Sequence, residues 1–243
     1  MKTQTKILLI CNALLVFLII WLLMRENYPK RIYDKLTILK TNSPDQKIEY
    51  WFNRNKLFEF FPKDSNSIVF LGNSLTQNFE LAELFHKANL KNRGIVGDIT
   101  KGVLQRLKPI IESQPKKIFI EIGINDLFME IPPDTLLKNY TLILNELQLQ
   151  CLHTKIYAQS LLPVSFNSTT LSKVNASRIN NDINYVNKKL KEYVAKKNLG
   201  YIDLYSEFQL NGTLDASLTL DGVHLNGKGY LLWTKILIPY VEE

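Results

Sequence analysis

Hydrophobic residues follow two alternating rhythms along this chain. From Ser67 onward, short apolar runs at 68–71, 118–122 (interrupted only by Glu121) and 156–158, with weaker ones near Leu90 and over 201–204, alternate with stretches in which apolar residues recur every three or four positions. A run without polar alternation is the pattern of a strand buried on both faces, as in a parallel sheet, whereas the wider spacing gives a helix one apolar stripe. Leu136, Tyr140, Ile143, Leu144 and Leu147 form one stripe behind Pro132, Pro133 and Asp134, and Ile179, Ile183, Val186, Leu190 and Tyr193 form a second. Residues 227–240 read as a closing helix. Strand alternating with helix implies an α/β chain folded as a three-layer α/β/α sandwich. The predicted domain covers residues 67–243, with no Gly/Ser-rich or Pro-rich linker dividing it.

Two segments precede it. Residues 27–66 read as a connector with one aromatic-rich helix, in which Ile48, Trp51, Phe52, Leu57, Phe58 and Phe61 stand at helical spacing before Pro62. Its aromatics are expected to pack on the domain, the other option being a membrane surface. Residues 1–26 hold an 18-residue apolar run, 7–24, broken only by Asn12. As a helix this run spans about 27 Å at about 1.5 Å per residue, near the ~30 Å core of a bilayer. No small-x-small pattern follows it, which favours an uncleaved single-pass membrane anchor over a cleaved signal peptide.

Composition agrees with this organisation. A hydrophobic content of 46% with 22% charged residues fits a packed globular protein and excludes a disordered or collagen-like chain. The net charge of +7 is not spread evenly: residues 1–40 hold seven Lys/Arg against two acidic residues, and the remainder 23 against 21. The excess flanks the apolar run, where anionic lipid attracts it, so the expected partner is a membrane through residues 7–24 and not a nucleic acid. By count the heavier positive flank follows the run, which alone would leave the domain in the cytoplasm. Cys11 and Cys151 cannot form a disulfide within the domain.

The turns after the strands carry the candidate chemistry. Gly72-Asn73-Ser74-Leu75 follows the first, Asn92-Arg93-Gly94-Ile95-Val96-Gly97-Asp98 the second, and Gly123-Ile124-Asn125-Asp126 the third, while Asp221-Gly222-Val223-His224-Leu225 stands before the last helix. Singly, Ser74 reads as a helix N-cap, Gly94 as a tight turn, Asn125 as an Asx turn and His224 as a surface residue. Jointly they hold the parts that a serine nucleophile needs: a base in His224, a carboxylate in Asp221 to hold that base, and oxyanion donors in the Gly94 N–H and the Asn125 amide. All of them fall at carboxyl ends of strands or just before the closing helix, where open parallel sheets gather active residues.

With these residues in this order, residues from about 67 to 243 resemble the SGNH or GDSL-type esterases and lipases, in particular the platelet-activating-factor-acetylhydrolase-like branch. The resemblance implies a flavodoxin-like fold with a five-stranded parallel sheet, hydrolysis of carboxylic esters, and neither a metal nor an organic cofactor. It also implies that Ser74, Asp221 and His224 are catalytic and that Ser74, Gly94 and Asn125 form the oxyanion hole. One departure is visible, because the family's usual Asp before the nucleophile is Asn73 here. Asn keeps the turn-forming hydrogen bonds and loses the charge. The elbow Gly-x-Ser-x-Gly is absent, which argues against the α/β-hydrolase fold. Members with an N-terminal apolar segment are generally exported, so the resemblance implies an extracytoplasmic catalytic domain despite the charge count.

The expected function is therefore a serine esterase that forms an acyl-enzyme on Ser74. Alternatives are an O-acyltransferase that passes the acyl group to a carbohydrate hydroxyl, and a catalytically silent binding module on the same fold. No long insertion separates the motifs, which suggests short acyl groups such as acetyl, carried by a small molecule or a glycan. Asp98, Asp126, Asn180 and Asn184 are expected to brace loops or cap helices, and Arg93 to lie near the site. His86, His153 and Cys151 are expected to be structural.

Overall fold

The computed structural model describes residues 44–165 and 173–243. The apolar run expected to anchor the chain lies outside these residues, and among those described no helix is long and apolar enough to cross a membrane. The chain divides into two compact units, Met1–Tyr50 and Trp51–Glu243, of which the second contains the sheet. Their boundary falls inside helix α1 (Pro44–Glu59), so the aromatic residues from Trp51 onward, read above as connector, belong to the same unit as the sheet.

Five strands, β1 (Ile68–Gly72), β2 (Leu90–Gly94), β3 (Lys117–Glu121), β4 (Lys155–Gln159) and β5 (Gly200–Ile202), pair in parallel in the order β2-β1-β3-β4-β5. The central strands β1 and β3 are buried at every position, which is why their sequences show no alternation. Edge strand β2 is only partly buried along its middle, and its Lys91, Asn92 and Arg93 hide it from hydropathy.

Successive side chains leave a strand on opposite faces, and here they enter two separate cores. Val69, Leu71, Ile118, Ile120, Ile156 and Ala158 meet the stripes of α7 (Pro133–Gln150) and α8 (Lys173–Lys196). Ile68, Phe70, Phe119 and Tyr157 meet Tyr230, Trp233, Leu237 and Val241 of the closing helix α10 (Gly227–Glu242). Aligned in register, Phe70, Phe119 and Tyr157 stack across three strands at 4.9 Å per step. Buried Lys117 begins β3 and donates from Nζ to Tyr240 O at 2.7 Å, capping the last carbonyls of α10.

Strand order places the switch between β1 and β3. The chain leaves β1 toward β2 on one side and then returns to β3 on the other, so the connections diverge and open a crevice at the carboxyl ends of these two strands. Shorter helices occupy the other connections: α2 (Ser74–Gln77), α3 (Leu81–Phe85), α4 (Thr100–Gln105), α5 (Lys108–Ser113), α6 (Ile124–Phe128) and α9 (Tyr205–Phe208). A small hairpin, β6 (Gln209–Leu210) with β7 (Thr213–Leu214), leads into the loop before α10.

Glu121 closes β3 with its side chain on the Phe119 face. It is fully buried, neither carboxyl oxygen has a hydrogen-bond partner among the described residues, and burial pushes its pKa up to about 8. A carboxyl whose folded pKa lies above its unfolded value is protonated in the native state where the unfolded chain has already released the proton. Its ionisation costs the fold nothing below the unfolded value of 4.5 and progressively more as pH rises toward the folded value. We expect this residue to remove on the order of 4 kcal/mol of stability between about pH 5 and pH 9. Glu121→Gln should therefore flatten the dependence of Tm on pH above about 5, and a variant profile parallel to the wild-type one would contradict this.

Candidate active site

The nucleophile turn leaves β1 at Gly72. A Cβ there would lie 2.2 Å from Thr76 Oγ1 and 2.3 Å from Glu121 O, so only glycine lets the chain turn directly into α2. Buried Asn73 is the N-cap, accepting from Leu75 N–H at 2.8 Å through Oδ1, which is the role an Asp would fill. Its Nδ2, the atom that distinguishes it from Asp, is buried without a hydrogen-bond partner among the described residues. The turn is also tied from the far side, where Tyr230 Oη donates to Leu75 O at 2.9 Å.

The base comes from the loop before α10. Ser74 Oγ lies 3.1 Å from His224 Nε2, and His224 Nδ1 lies 2.8 Å from Asp221 Oδ2. Asp221 Oδ1 accepts the N–H groups of Val223 (2.9 Å) and His224 (2.7 Å), so one carboxylate folds the loop and orients the ring. Burial would raise the Asp221 pKa, but hydrogen bonds from the His224 ring and these N–H groups hold it below the usual carboxylate range. Asp221 is thus an acceptor, His224 donates from Nδ1, and Nε2 is left as an acceptor facing the Ser74 hydroxyl. Thr219 Oγ1 donates to His224 O at 2.7 Å and accepts from Gly222 N–H at 2.9 Å, while Asn226 caps α10 through Gly229 N–H at 3.1 Å.

At one of the expected oxyanion-hole positions, Gly94, the N–H is already engaged. The Gly94 N–H donates to Asn92 Oδ1 at 2.9 Å, and the Asn92 amide in turn donates to Thr76 O at 2.6 Å, so this N–H is committed within the turn after β2. Gly97 lies three residues on, exposed, with φ of +77°, at the third position of a turn closed by Asp98 N–H to Ile95 O at 3.1 Å. That is the place where a type II turn requires glycine. Neither the Gly97 N–H nor the Ser74 N–H makes a hydrogen bond among the described residues. Asn125 Nδ2 donates to Asp98 O at 2.8 Å, and since an amide nitrogen carries two hydrogens, one anchors the group and the second is left for a ligand.

Asp126 accepts from Thr100 N–H and Thr100 Oγ1, bracing α6 on α4, and Asn180 holds both polar groups of Val164 at 2.9 and 2.8 Å. Asn184 is exposed, and the second brace is Asn187, one heptad after Asn180, which holds Leu161 at 2.8 and 2.9 Å. Arg93 turns away from the triad, its guanidinium over the rings of Phe58 and Phe61 at 5.1 and 4.8 Å; burial, with Arg54 and Arg106 nearby, lowers its pKa to about 10. Among the described residues no three His, Cys, Asp or Glu side chains converge on a metal position. Sequence reasoning missed Gly97, Asn187, Arg106 and Trp51. A glycine immediately before an Asp in a turn-forming segment was the available signal for the first.

Residues 70–232 match the GDSL-like lipase/acylhydrolase family. Platelet-activating factor acetylhydrolase IB subunit alpha2 from Rattus norvegicus and from Homo sapiens are each 29% identical over 201 residues, covering 79% of this chain and 82% of their own. Among solved structures, one described as a platelet activating factor from Streptococcus pneumonia superposes with a TM-score of 0.71 at 24% identity, covering 86% of this chain and 99% of that one. A GDSL-like lipase from Bacteroides thetaiotaomicron gives 0.70 at 20% identity over 79% and 97% of the two chains, and an acetyl xylan esterase gives 0.60 at 20% over 72% and 99%. At such identities these structures share the fold.

The two glycines of the second turn should respond differently to alanine. A Cβ on Gly94 would stand 2.2 Å from Gln77 N and 2.8 Å from Asn73 O, backbone atoms of the nucleophile turn, whereas one on Gly97 meets nothing within 4 Å among the described residues. Gly94→Ala should lower Tm severely. Gly97→Ala carries only the roughly 1–2 kcal/mol of a left-handed alanine and should stay folded with reduced kcat. Equal Tm losses in thermal melts would contradict the assignment of a packing role to one and an exposed turn to the other.

Proposed function

The chain belongs to the GDSL-like lipase/acylhydrolase family and is an SGNH-type hydrolase, and from that premise we propose that it cleaves short acyl esters through an acyl-enzyme on Ser74. The observation that carries this reading is the unbroken series Asp221–His224–Ser74, with links of 2.8 and 3.1 Å. In the proposed reaction Ser74 Oγ bonds to the ester carbonyl carbon as its proton passes to His224 Nε2. The carbonyl oxygen becomes an oxyanion held by the N–H groups of Ser74 and Gly97 and by the second Asn125 hydrogen. His224 then gives the proton to the departing alkoxide, and water repeats the sequence on the acyl-enzyme. Asp221 stays ionised throughout and stabilises the imidazolium.

An acetyl or similarly short acyl group is the proposed cargo. Short connections between the motifs support it, as does the likeness of fold to an acetyl xylan esterase, which favours a carbohydrate-borne ester. We also propose that residues 7–24 anchor the chain in a membrane with the catalytic domain outside the cytoplasm. The support for the anchor is the length and continuity of that apolar run.

Ser74→Ala should abolish hydrolysis of p-nitrophenyl acetate and labelling by a fluorophosphonate probe while Tm stays near the wild-type value, and retention of most activity would overturn the mechanism. Asn125→Ala should lower kcat by roughly 10² to 10³ with little change in KM, because its amide binds charge that exists only in the transition state. Across p-nitrophenyl esters of graded length, kcat/KM should fall beyond short chains. Full-length protein should pellet with membranes and resist extraction by salt, since an apolar helix is held by hydrophobic transfer; release by salt alone would remove the anchor.

A further inference from the structure

Asp98 is the centre of a buried polar cluster that no step of the reaction uses. Its Oδ1 accepts from the Trp51 indole Nε1–H at 2.8 Å and from Ile99 N–H at 3.0 Å, and its Oδ2 accepts from Arg106 Nε–H at 2.7 Å. The Asp98 and Arg106 side chains are shut off from solvent. The remaining Arg106 nitrogens reach carbonyls on two strands, Nη1 to Arg93 O at 2.9 Å and Nη2 to Gly72 O at 3.0 Å. Gly72 stands two residues before Ser74, and Arg93 leads into the turn that presents Gly97. The Asp98 main-chain oxygen fixes the Asn125 amide, and its N–H closes the Gly97 turn. Each segment bearing an oxyanion donor is thus within two hydrogen bonds of one carboxylate. Gly102 of α4 leaves the room for this, since a Cβ there would come within 2.0 Å of Asp98 Oδ1 and 3.3 Å of Trp51 Nε1.

We propose that Trp51 is a positioning residue for the oxyanion hole: helix α1, which lies outside the residues matched to the family, sets the Gly97 and Asn125 donors through its indole N–H on Asp98. The proposal rests on the esterase reading. Without the indole, Oδ1 keeps only the adjacent Ile99 N–H while Oδ2 keeps Arg106, so one of the three bonds that fix the carboxylate plane is lost and the group can turn about its soft terminal torsion as far as the Arg106 pair allows. Arg106 moves with it, and so do the Gly72 and Arg93 carbonyls. Oxyanion donors act at 2.7 to 3.1 Å from the developing charge, so displacements well below 1 Å weaken them, and the loss falls on kcat because that charge is absent from the bound substrate. The helix has a second attachment independent of the indole. Buried Phe58 of the same helix lies under the guanidinium of Arg93, a residue of β2, at 5.1 Å. Trp51→Phe therefore removes the donor while the helix stays docked.

In the full-length protein, Trp51→Phe should lower kcat on p-nitrophenyl acetate about tenfold, leave KM within about twofold, and shift the Asn125 side-chain amide resonances in ¹H–¹⁵N spectra. Val194→Ala, a truncation in the core stripe of α8, should lower Tm without changing kcat at about 25 °C, and so separates positioning from general loss of stability. Wild-type kcat in Trp51→Phe with unmoved Asn125 resonances overturns the proposal, as does a kcat loss no greater than that of Val194→Ala at equal loss of Tm. If neither wild type nor variant turns over any ester and yet Trp51→Phe shifts the Asn125 resonances, the esterase reading fails and the link from Trp51 to Asn125 stands.

Discussion

At Gly72 the end of β1, the first turn of α2 and the end of β3 come closer together than any side chain permits, with Thr76 Oγ1 and Glu121 O both inside the space a Cβ would occupy. The Gly72 carbonyl meanwhile receives Ile95 N–H at 3.1 Å and Arg106 Nη2 at 3.0 Å. One residue without a side chain thus joins the nucleophile turn, the turn after β2 and the carboxyl end of β3. That convergence makes the parallel sheet a scaffold for Ser74: the crevice at the switch between β1 and β3 is a property of strand order, and Gly72 allows the serine to stand at its lip.

Four buried ionisable groups in and around the sheet are accommodated in three ways. Lys117 spends its charge on helix-terminal carbonyls. Asp98 and Arg106 are paired at 2.7 Å; burial pushes the acid up and the base down in pKa, and each opposes that drift in the other. Glu121 has no partner among the described residues and is held neutral by desolvation. A buried ion pair is a poor source of net stability compared with a well-packed apolar contact, so the reason for one here is direction. Arg106 has five N–H groups in a rigid fork and reaches a carboxylate and two strand ends at once, which no apolar residue could do.

What could be read from the residues in order, and what could not, follows from the range of the interactions. The central strands were legible because burial on both faces leaves continuous apolar runs such as Ile-Val-Phe-Leu at 68–71. The Asp221–His224 pair was legible because one loop holds both, and Ser74 because the strand-to-helix turn that carries it is local. Gly94 and Gly97 are glycines of one segment, and only the partner of each N–H, Asn92 Oδ1 for the former, separates them. Trp51 was read as part of a connector. Its contact with Asp98 spans 47 residues, and nothing in the helical spacing of an aromatic marks one indole N–H as spoken for. Asn184 and Asn187 are separated by three residues, and helical phase alone decides that the latter faces inward with Asn180.

The His224 side chain is 39% exposed and that of Asp221 28%, so the imidazole beside Ser74 stands at the surface of the crevice and not within it. An acyl group held on Ser74 would then face bulk solvent across the imidazole that activates its acceptor. Water stands at that ring at solvent concentration with no entropy of capture to overcome, whereas an acceptor alcohol would first have to be bound and oriented. An acyl-enzyme formed by the proposed route would therefore partition by default toward hydrolysis. A chain of this family that instead favoured transfer would need an added wall over the imidazole, to lower the local activity of water before any selectivity among hydroxyls could matter.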